Sequence, residues 1–552
     1  MARRKRPPYT HLSARAATRR DLWWKGAVIY QVYPRSFQDS DGDGVGDLKG
    51  ITSRLEYIER LGVDAVWISP FCQSPQKDYG YDVADYCAVD PLFGTLADFD
   101  ALLAEAHRLG LKVMMDFVPS HTSEAHAWFL ESRQDRTNTK ADWYVWADAR
   151  PDGTPPNNWL SVFGGSAWEW ESRRGQYYLH NFLKEQPDLN FHNPQVIEAL
   201  LDQARFWLER GVDGFRVDAI DFGVHDQQLR NNPPRRARAA GGSAPGSPFT
   251  MQRQLWNKAR PELIELFLKP LHALTERWPG KVVLGEISGD DALLRAAEYT
   301  NGGGLDIAYS FDLLECPGTP AAIRDVVARL ERTLGDGWAC WSFGNHDVRR
   351  AVSRWGGDDP PEGLRRLAPV LLGSLRGTVC LYQGEELGLE QATLTFEQLK
   401  DPFGIAFWPS FAGRDGCRTP MPWQGAAPEA GFTTGAPWLP ISQSHRGRAV
   451  DRQDPDPGSV LNTTRAFLDW RRERHPLVTG TIRFLRAGAD VLAFERATAA
   501  DRMLCLFNLG ASEQTYRAPE PILDAGFSSA GAVIAGRTVT LPPYGYAFAH
   551  LE

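Results

Sequence analysis

GFRVDA, residues 214–219, has the pattern of a short buried strand that ends in an aspartate. Phe215 and Val217 alternate with polar residues, and Arg216 lies two positions before Asp218. Side chains two apart on a strand point to the same side, so we expect the guanidinium and the carboxylate to meet. A neighbouring positive charge favours an ionised carboxylate. The stretch therefore predicts either a fixed carboxylate nucleophile or a structural Arg–Asp pair, and alone it does not separate the two.

Seven further short runs share this buried, strand-like pattern. They are AVIYQVYP (27–34), DAVWISP (64–70), KVMMDFV (112–118), KVVLGEI (281–287), DIAYSF (306–311), WACWSFGNHD (338–347) and TVCLYQGEE (378–386). Between the runs, segments such as 96–110 and 196–211 have apolar residues at helical spacing. Eight buried runs with helical connections predict a parallel sheet, and their number favours a closed (β/α)8 TIM barrel. In such barrels the chemistry gathers at the C-terminal ends of the strands.

The spacing of the runs also predicts the domain organisation. Residues 119–190 are too long for a simple crossover and are rich in Trp, Tyr and Asn, which predicts a subdomain inserted after the third strand. Short alternating runs return from about residue 478, which predicts a C-terminal antiparallel β domain over 478–552. The catalytic barrel is then expected to comprise residues 21–118 and 191–477.

Composition narrows the class of protein. The 552 residues are 43% hydrophobic, which is enough for a sizeable core, and the net charge of −8 gives no reason to expect nucleic acid or an anionic membrane as a partner. The seven cysteines lack CxxC spacing, which favours reduced thiols and a cytoplasmic location. No apolar run approaches the roughly 20 residues of a membrane helix.

Two segments are expected to lie outside the ordered fold. Residues 1–20 are basic and lack an apolar stretch, so they predict a disordered tail rather than a secretory signal. A tag, an upstream start codon or a nucleic-acid arm are weaker interpretations of this tail. The segment NNPPRRARAAGGSAPGSP (231–248) is rich in Pro, Gly and Arg and predicts a mobile surface loop.

The stretch DSDGDGVGD (39–47) places carboxylates at alternate positions with glycines between them. Hard cations such as Ca²⁺ prefer six or more oxygen ligands, and this spacing resembles the start of an EF-hand loop. Gly50, however, stands where that loop has its closing Glu. We therefore expect a structural Ca²⁺ site, with Mg²⁺ as a possible occupant and an ion-free Asp/Gly turn as the alternative. The expected ligands are the side chains of Asp39, Asp41, Asp43 and Asp47 and the carbonyl of Val45.

Five motifs follow the predicted strands in order along the chain. They are KDYGYDVADY (77–86), DFVPSHTS (116–123), GFRVDAI (214–220), GEI (285–287) and FGNHD (343–347). With these motifs the chain, from about residue 21 to its end, resembles the α-amylase superfamily (glycoside hydrolase family 13). It is most similar to the bacterial α-glucosidase and oligo-1,6-glucosidase branch, including α-glucosidases that transfer glucose.

The resemblance implies three catalytic carboxyl groups. Asp218 resembles the nucleophile, Glu286 the general acid/base and Asp347 the third carboxylate, which stabilises the transition state. Arg216 is implied to orient Asp218. Cleavage with retention needs two carboxyl groups about 5–5.5 Å apart, one of them protonated. We expect close negative neighbours to raise the pKa of Glu286 as this role requires. The structural alternatives are a salt-bridged rim glutamate and a loop aspartate.

The resemblance also implies the residues that hold the sugar. His121 and His346 resemble histidines that hydrogen-bond its hydroxyls, and Tyr81 resembles the platform beneath its ring. Phe182 is expected to line the pocket, although an ordinary core position explains it almost equally well. Two further residues are implied to grip the non-reducing end and so close the pocket: Asp78 and Arg414.

These implications define the expected activity. The chain is expected to be a retaining, exo-acting α-glucosidase that releases α-1,4-linked glucose from maltose and short oligosaccharides through a glucosyl-enzyme. In the resembling branch, Ala after the nucleophile accompanies α-1,4 linkages and Val accompanies α-1,6 linkages, and here the residue is Ala219. Transglucosylation is expected as well, because an acceptor hydroxyl can replace water.

Several alternatives remain open at this point. One is a relative that acts on sucrose or trehalose, as hydrolase or isomerase, or that prefers α-1,6 bonds. A more remote one is a non-catalytic, transporter-associated homologue. The expected partners are small α-glucosides and hydroxyl acceptors, without nucleic acid, membrane or organic cofactor, and the expected state is a monomer or homodimer.

Overall fold

The computed structural model describes residues 22–235, 248–335 and 337–552. The disordered tail predicted for residues 1–20 lies outside the described residues, as does most of the loop predicted for 231–248.

All eight predicted runs form strands of one parallel sheet. We number them β1 to β8 in chain order: Val28–Val32, Ala65–Ile68, Lys112–Phe117, Gly214–Val217, Val282–Ile287, Ile307–Ser310, Cys340–Trp341 and Thr378–Tyr382. The order of neighbours is β6-β5-β4-β3-β2-β1-β8-β7. One parallel bridge, between Ala308 of β6 and Ala339 just before β7, brings the two edges together. The (β/α)8 TIM barrel predicted from the sequence is confirmed.

Helices surround the barrel and connect its strands. The α-helices are Leu48–Ser53, Leu55–Leu61, Leu96–Arg108, Ala127–Ser132, Pro194–Arg210, Lys269–Thr275, Ala292–Asn301, Phe311–Leu314, Pro320–Leu334, Ala351–Gly356, Glu362–Ser374, Pro402–Phe407, Gln443–Gly447, Val450–Gln453, Val460–Arg472 and His475–Thr479. Among the described residues, none of these is both long and apolar enough to cross a membrane.

The two helices predicted from periodicity begin and end at clear local signals. Thr95 and Asp98 form a capping box at the start of Leu96–Arg108. Pro194–Arg210 begins with an Asn193 cap and Pro at its first position, and it ends at Gly211, whose φ of 109° is left-handed. Both helices contribute apolar residues, such as Phe99 and Trp207, to the cluster that packs around the outside of the barrel strands.

The barrel has two apolar layers. Inward-facing side chains such as Trp67, Met114 and Leu284 fill its interior. Alternate residues on the same strands, such as Val66 and Val113, pack outward against the helices. This alternation fixes which side chains emerge at the strand ends, and it therefore positions the site.

Several smaller sheets accompany the barrel. After β2, a two-stranded antiparallel sheet pairs Cys72–Gln73 with Asp85–Val89. Between the third and fourth barrel strands lies a three-stranded antiparallel sheet formed by Trp146–Ala147, Gln176–Leu179 and Trp168–Glu171. After the last helix, a five-stranded sheet contains Thr481–Phe484, Val491–Ala497, Arg502–Asn508, Tyr546–Leu551 and Ile522–Ser528. A three-stranded sheet contains Gln514–Arg517, Thr538–Leu541 and Val533–Ala535. The strand-rich C-terminal part matches the predicted antiparallel fold.

One stretch near the C-terminus passes from one of these sheets to the other. Residues 539–551 form the end of Thr538–Leu541 and the whole of Tyr546–Leu551, in two different sheets. The chain turns between them, where Gly545 N donates to Pro542 O at 2.9 Å. Two successive prolines lack the N–H groups that a continuous ladder needs, so the strand ends there.

Candidate active site

A cavity of about 710 Å³ lies at the C-terminal ends of the barrel strands. The three carboxyl groups predicted to be catalytic, those of Asp218, Glu286 and Asp347, all line it. The predicted sugar-holding residues that line it as well are Asp78, Tyr81, His121, Phe182 and Arg414. Arg216 and His346 are fully buried behind this lining. The structure therefore brings together all ten residues singled out for catalysis and sugar binding.

Arg216 connects the first two carboxyl groups. Its guanidinium contacts Asp218 Oδ1 and lies 2.8 Å from Glu286 Oε2. It also lies 2.6 Å from Oδ1 of Asp116 at the end of β3. The Arg216 and Asp218 side chains thus meet, as strand periodicity predicts. Since Asp218 and Glu286 share one guanidinium, their carboxyl groups face the same part of the cavity.

The turn after β4 provides a further contact to the acid. Ala219 has a φ of 41°, in the left-handed region, and leads into the 3-10 turn Ile220–Phe222. Its N–H donates to Glu286 Oε2 at 3.1 Å. On the other side, the hydroxyl of Tyr309 lies 3.5 Å from Glu286 Oε1 and accepts a hydrogen bond from Arg216. Both oxygens of Glu286 are therefore held in position.

Burial dominates the ionisation of this pair. It raises the pKa of Glu286 to about 8; Arg216 opposes the rise, and the negative charges of Asp218 and Asp347 add to it. Burial likewise raises the pKa of Asp218 to about 7, against the effect of Arg216. Arg216 thus favours the ionised form of Asp218 without fully offsetting burial, which the sequence argument did not anticipate. Glu286 therefore keeps its proton to higher pH than Asp218.

Asp347 is in the opposite electrostatic state. Its carboxylate lies 2.9 Å from Arg418, 3.3 Å from Arg414 and 3.3 Å from His346 Nε2. Burial disfavours ionisation of Asp347, but the charges of Arg414 and Arg418, joined by His346 only where that histidine is protonated, hold its pKa below the ordinary range. Burial lowers the pKa of His346 itself to about 3, so this histidine is neutral near pH 7 and the two guanidinium groups supply the positive charge. Asp347 is therefore ionised near pH 7, in the wall of the cavity.

An ion pair between Asp78 and Arg414 lies in the cavity lining. Arg414 Nη2 lies 2.8 Å from Asp78 Oδ1, and the same nitrogen lies 2.7 Å from Asp401, which is fully buried. Asp401 also accepts from the backbone N–H of Arg414 at 2.7 Å. The buried Asp401 thus fixes Arg414, while Asp78 and Asp347 contact it at the cavity.

The remaining predicted residues cluster beside this ion pair. The Tyr81 ring stacks on His346, with centroids 5.3 Å apart and nearly parallel planes. His121 Nε2 lies 3.1 Å from the carbonyl of Tyr81 and 3.2 Å from Gln186 Nε2. The Phe182 ring lies 5.1 Å from His121. Aromatic and imidazole groups therefore surround the region between the ion pair and the carboxyl groups.

Several residues of the site were not singled out from the sequence. They are Trp67, Asp116, Gln186, Tyr309, Asp401 and Arg418, all of which contact a predicted site residue or its immediate partner. Asp116 had a detectable signal, because it opens a motif at the end of a predicted strand. Asp401 and Gln186 lie in loops without periodicity, and their sequence context offers no comparable signal.

The loop at residues 39–47 is separate from the cavity. Carboxylate oxygens of Asp39, Asp41 and Asp43 lie within 4.8 Å of one another, close enough to share an ion. Asp47 is not part of this group: it caps the helix Leu48–Ser53 by accepting from Gly50 N at 2.7 Å. It also accepts from Ser40 N at 2.7 Å. The donor set is all oxygen, which suits a hard cation, but it is smaller than the five ligands expected.

Comparison with known proteins places these features in a family. The family model described as alpha amylase, catalytic domain, matches residues 31–480. A protein named probable alpha-glucosidase from Rhizobium meliloti is 54% identical over 540 residues, which cover 96% of this chain and 97% of that protein.

Solved structures give the same result. An alpha-glucosyl transfer enzyme, XgtA, is 55% identical, with a TM-score of 0.93 and coverage of 96% of this chain and 99% of that one. The trehalulose synthase MutB from Pseudomonas mesoacidophila is 34% identical, with a TM-score of 0.88 and coverage of 96% and 99%. The resemblance drawn from the five motifs is confirmed, and the chain belongs to the α-amylase family, glycoside hydrolase family 13, whose catalytic domain it carries.

Proposed function

We propose that this protein is a retaining, exo-acting α-glucosidase that removes α-1,4-linked glucose from the non-reducing ends of maltose and short oligosaccharides. The observation that carries the proposal is the shared contact of Arg216 with Asp218 and Glu286 on one cavity wall. Retention requires two carboxyl groups close enough to act on one anomeric carbon. The names of two relatives that are more than half identical to this chain, a probable alpha-glucosidase and an alpha-glucosyl transfer enzyme, agree with this activity.

In the first step Asp218 attacks the anomeric carbon of the terminal glucose. Glu286 gives its proton to the glycosidic oxygen, so the bond to the second sugar breaks as the ester to Asp218 forms. The order of pKa values, about 7 for Asp218 and about 8 for Glu286, suits this division of roles. Arg216 holds Asp218 in position for the attack. The ionised Asp347 stabilises the positive charge that develops on the sugar ring.

In the second step an incoming hydroxyl cleaves the ester. Esterified Asp218 carries no charge, so the pKa of Glu286 falls and its carboxylate accepts the proton of the attacking water. An alcohol or a second sugar can take the place of water, which would yield a transferred glucoside. We therefore include transglucosylation in the proposed activity.

The Asp78–Arg414 ion pair in the cavity lining supports exo action. We infer that it bars a sugar beyond the terminal glucose, since both groups suit the outer hydroxyls of that glucose. His121, which lines the cavity and is neutral near pH 7, would hydrogen-bond hydroxyls nearer the anomeric carbon. His346, also neutral, is the second proposed hydroxyl partner, and to reach the sugar its Nε2 must exchange its contact with the Tyr81 hydroxyl. Tyr81 and Phe182 would contact the apolar faces of the ring.

The preference for α-1,4 bonds rests on Ala219. This residue lines the cavity next to Glu286, where the second sugar must pass. A methyl side chain leaves room that a β-branched residue would fill. An α-1,6 preference, or action on sucrose or trehalose, is the second candidate, and the similarity to a trehalulose synthase favours testing it. The non-catalytic alternative is disfavoured, because all three carboxyl groups line one cavity.

The 39–47 loop is proposed to hold a structural Ca²⁺ or Mg²⁺ ion. Asp39, Asp41 and Asp43 fit such an ion by their spacing and oxygen chemistry, and the Val45 carbonyl and Asp47 are the further proposed ligands. Bound there, the ion would supply cohesion to the loop and no catalytic chemistry. No organic cofactor is proposed. We further propose a cytoplasmic location, since all seven cysteines are free. The proposed oligomeric state is a monomer or a homodimer.

Product analysis on concentrated maltose tests the proposal. We expect glucose released first as the α-anomer, together with glucose-containing trisaccharides, and slower cleavage of isomaltose. Asp218→Asn should abolish turnover while the circular dichroism spectrum stays unchanged. Release of the β-anomer, or normal turnover by this variant, would overturn the assignment.

A further inference from the structure

The cavity lining extends beyond the predicted catalytic and sugar-holding residues. It includes Lys258, from the segment after β4, and Ser288, which follows β5 two residues after Glu286. If the Asp78–Arg414 pair holds the terminal glucose, the group that leaves with the glycosidic oxygen, or attacks in its place, must lie on the side of Glu286. A residue on that side would act on the second sugar and not on the glucose being transferred.

Lys258 is an unusual group for such a position. Its side chain is buried, with 5% of the residue exposed, and its Nζ donates to Ser288 Oγ. The ammonium also lies 4.3 Å from the centre of the Phe222 ring. Among the described residues, no carboxylate forms an ion pair with it. Burial of a cation is unfavourable without compensation, and besides this hydroxyl and ring face the nearby negative charges of Asp221, Glu286 and Asp290 offset it in part.

The position of this lysine is fixed by its surroundings. Asp221, which is fully buried, accepts from Ser288 N at 2.9 Å through its side chain. Its carbonyl accepts from Ala259 N at 2.7 Å, directly after Lys258. The Tyr299 hydroxyl donates to the same carboxylate at 3.1 Å. The segment that carries Lys258 and the turn that carries Ser288 are thus joined, and the ammonium is held beside Glu286 before any ligand binds.

We propose that Lys258 is a specificity-determining residue that donates hydrogen bonds to the hydroxyls of the second sugar, on the side of Glu286. This inference rests on the proposed α-glucosidase function. An ammonium carries three protons, and Ser288 accepts one of them, so two remain for vicinal hydroxyl oxygens. The ligand class is a hexose or another polyol. That sugar is the second glucose of maltose in the first step and the acceptor in transfer.

The chemistry of the transfer step defines what the contact between Lys258 and the acceptor sugar must do. The bond between the anomeric carbon and the Asp218 oxygen breaks, and a bond to the acceptor oxygen forms. The acceptor proton passes to Glu286, and Asp218 leaves as a carboxylate. Water can enter this step without Lys258, whereas a sugar must be held in one orientation. Lys258 should therefore favour transfer to sugars over hydrolysis.

The test compares two donors and two acceptors in Lys258→Met, which keeps most of the unbranched side chain and removes the terminal ammonium. We expect kcat/KM for maltose to fall about ten- to hundredfold, as for loss of hydrogen bonds to a charged donor. The fall for 4-nitrophenyl α-glucoside, whose leaving group has no sugar hydroxyls, should be several times smaller. At high maltose, the ratio of transferred to hydrolysed glucose should drop as well.

Two further variants complete the design. Ser288→Ala keeps the charge of Lys258 but removes the hydroxyl that accepts from its ammonium. The ratio of kcat/KM for maltose to that for 4-nitrophenyl α-glucoside should change in the same direction by a smaller factor. Lys269→Met alters an exposed lysine outside the cavity and serves as the matched control, with unchanged ratios.

The results distinguish failure of the Lys258 proposal from failure of the proposed α-glucosidase function. If the wild-type protein cleaves neither donor, the proposed function fails. If it cleaves both, and Lys258→Met lowers both to the same extent with an unchanged product ratio, Lys258 has only a structural role and the inference is overturned. The product ratio is internal to each reaction, so partial misfolding of the variant cannot mimic the expected result.

Discussion

At the scale of single residues, the guanidinium of Arg216 contacts three buried carboxyl groups, those of Asp116, Asp218 and Glu286. One positive charge thus faces three groups that could each be negative. A single positive charge cannot keep three close carboxylates ionised in an apolar setting. The pKa values rise in the order Asp116, Asp218 and Glu286, at about 6, 7 and 8, with burial as the first cause in each case. The proton shared by the group therefore resides chiefly on Glu286, the residue that needs it for acid catalysis.

Replacing Arg216 tests this balance directly. Arg216→Leu leaves the three carboxyl groups without their common partner, so we expect a loss of about 3–5 kcal/mol in stability and at least a thousandfold loss of kcat/KM on maltose. Arg216→Lys retains the charge but not the fork of donors, and its activity should lie in between. Near-normal kcat/KM in the leucine variant would contradict the proposed role.

The raised pKa of Glu286 has a consequence for stability. A carboxyl group whose pKa is higher in the folded than in the unfolded state stabilises the fold fully only below the unfolded value, and that contribution is lost as pH rises toward the folded value of about 8. Glu286→Gln removes this titration. The variant should gain about 1 kcal/mol per pH unit relative to wild type between roughly pH 5 and pH 8.

Thermal melting of both proteins across this pH range measures the effect. The melting temperature of the Gln variant should exceed that of wild type increasingly toward pH 8, while the two converge near pH 4.5. A constant difference at all pH values would mean that Glu286 titrates normally in the folded protein.

At the scale of elements, the turn that follows β4 combines two tasks. The left-handed conformation of Ala219 directs its N–H to Glu286, and its side chain borders the space for the second sugar. This conformation costs about 1–2 kcal/mol for a residue with a Cβ atom. The turn Ile220–Phe222 contains Asp221, whose carboxylate accepts from Ser288 N and so joins the segments after β4 and β5. A change at Ala219 should therefore affect both linkage preference and the position of the acid.

Ala219→Val is the corresponding experiment. The β-branched side chain disfavours the left-handed region and fills space beside Glu286, so we expect a loss of about 1–3 kcal/mol in stability. The ratio of kcat/KM for maltose to that for isomaltose should fall. Ala219→Gly is the matched control, since it permits the backbone conformation and leaves the space open. An unchanged ratio in the valine variant would remove Ala219 as a determinant of linkage.

At the scale of the whole molecule, the 39–47 loop joins distant parts of the chain. Thr433 donates to the Asp39 carboxylate, and Trp438 N donates to the carbonyl of Gly44 at 3.0 Å. Trp438 in turn packs against Tyr33, whose ring stacks on His346 of the active site. An ion in this loop would therefore secure the segment that follows β1 to one that follows β8.

Adding and removing the ion tests this role. A ligand that binds only the folded state stabilises it by about 2.7 kcal/mol at a concentration one hundred times its Kd. The melting temperature should rise with CaCl₂ and fall with EDTA, and Asp41→Ala combined with Asp43→Ala should abolish both responses. Asp152→Ala, an exposed change in the segment between β3 and β4, is the control. Equal responses in the double variant and wild type would exclude this loop as the site.

The sequence predicted the barrel and the convergence of Asp218, Glu286 and Asp347, because buried runs mark the strands and motifs mark their ends. It did not predict Asp401 or Arg418, since these reach the site from loops whose path no periodicity reveals. The sequence also does not show how deeply the carboxyl groups are buried. Arg216 was therefore expected to favour ionisation of Asp218 more fully than it does. The domain boundaries at 119–190 and 478–552 stay predictions.

The closure of the barrel between β6 and β7 has a consequence for how the protein moves. One bridge, between Ala308 and Ala339, joins this seam, and β7 itself has two residues, whereas the other neighbouring strands share longer ladders. Backbone amides along the seam should exchange with deuterium sooner than those of β1. Phe311, directly after β6, and Val348, in the segment after β7, both line the cavity. Opening of this seam would therefore move the part of the cavity lining that follows β6 and β7.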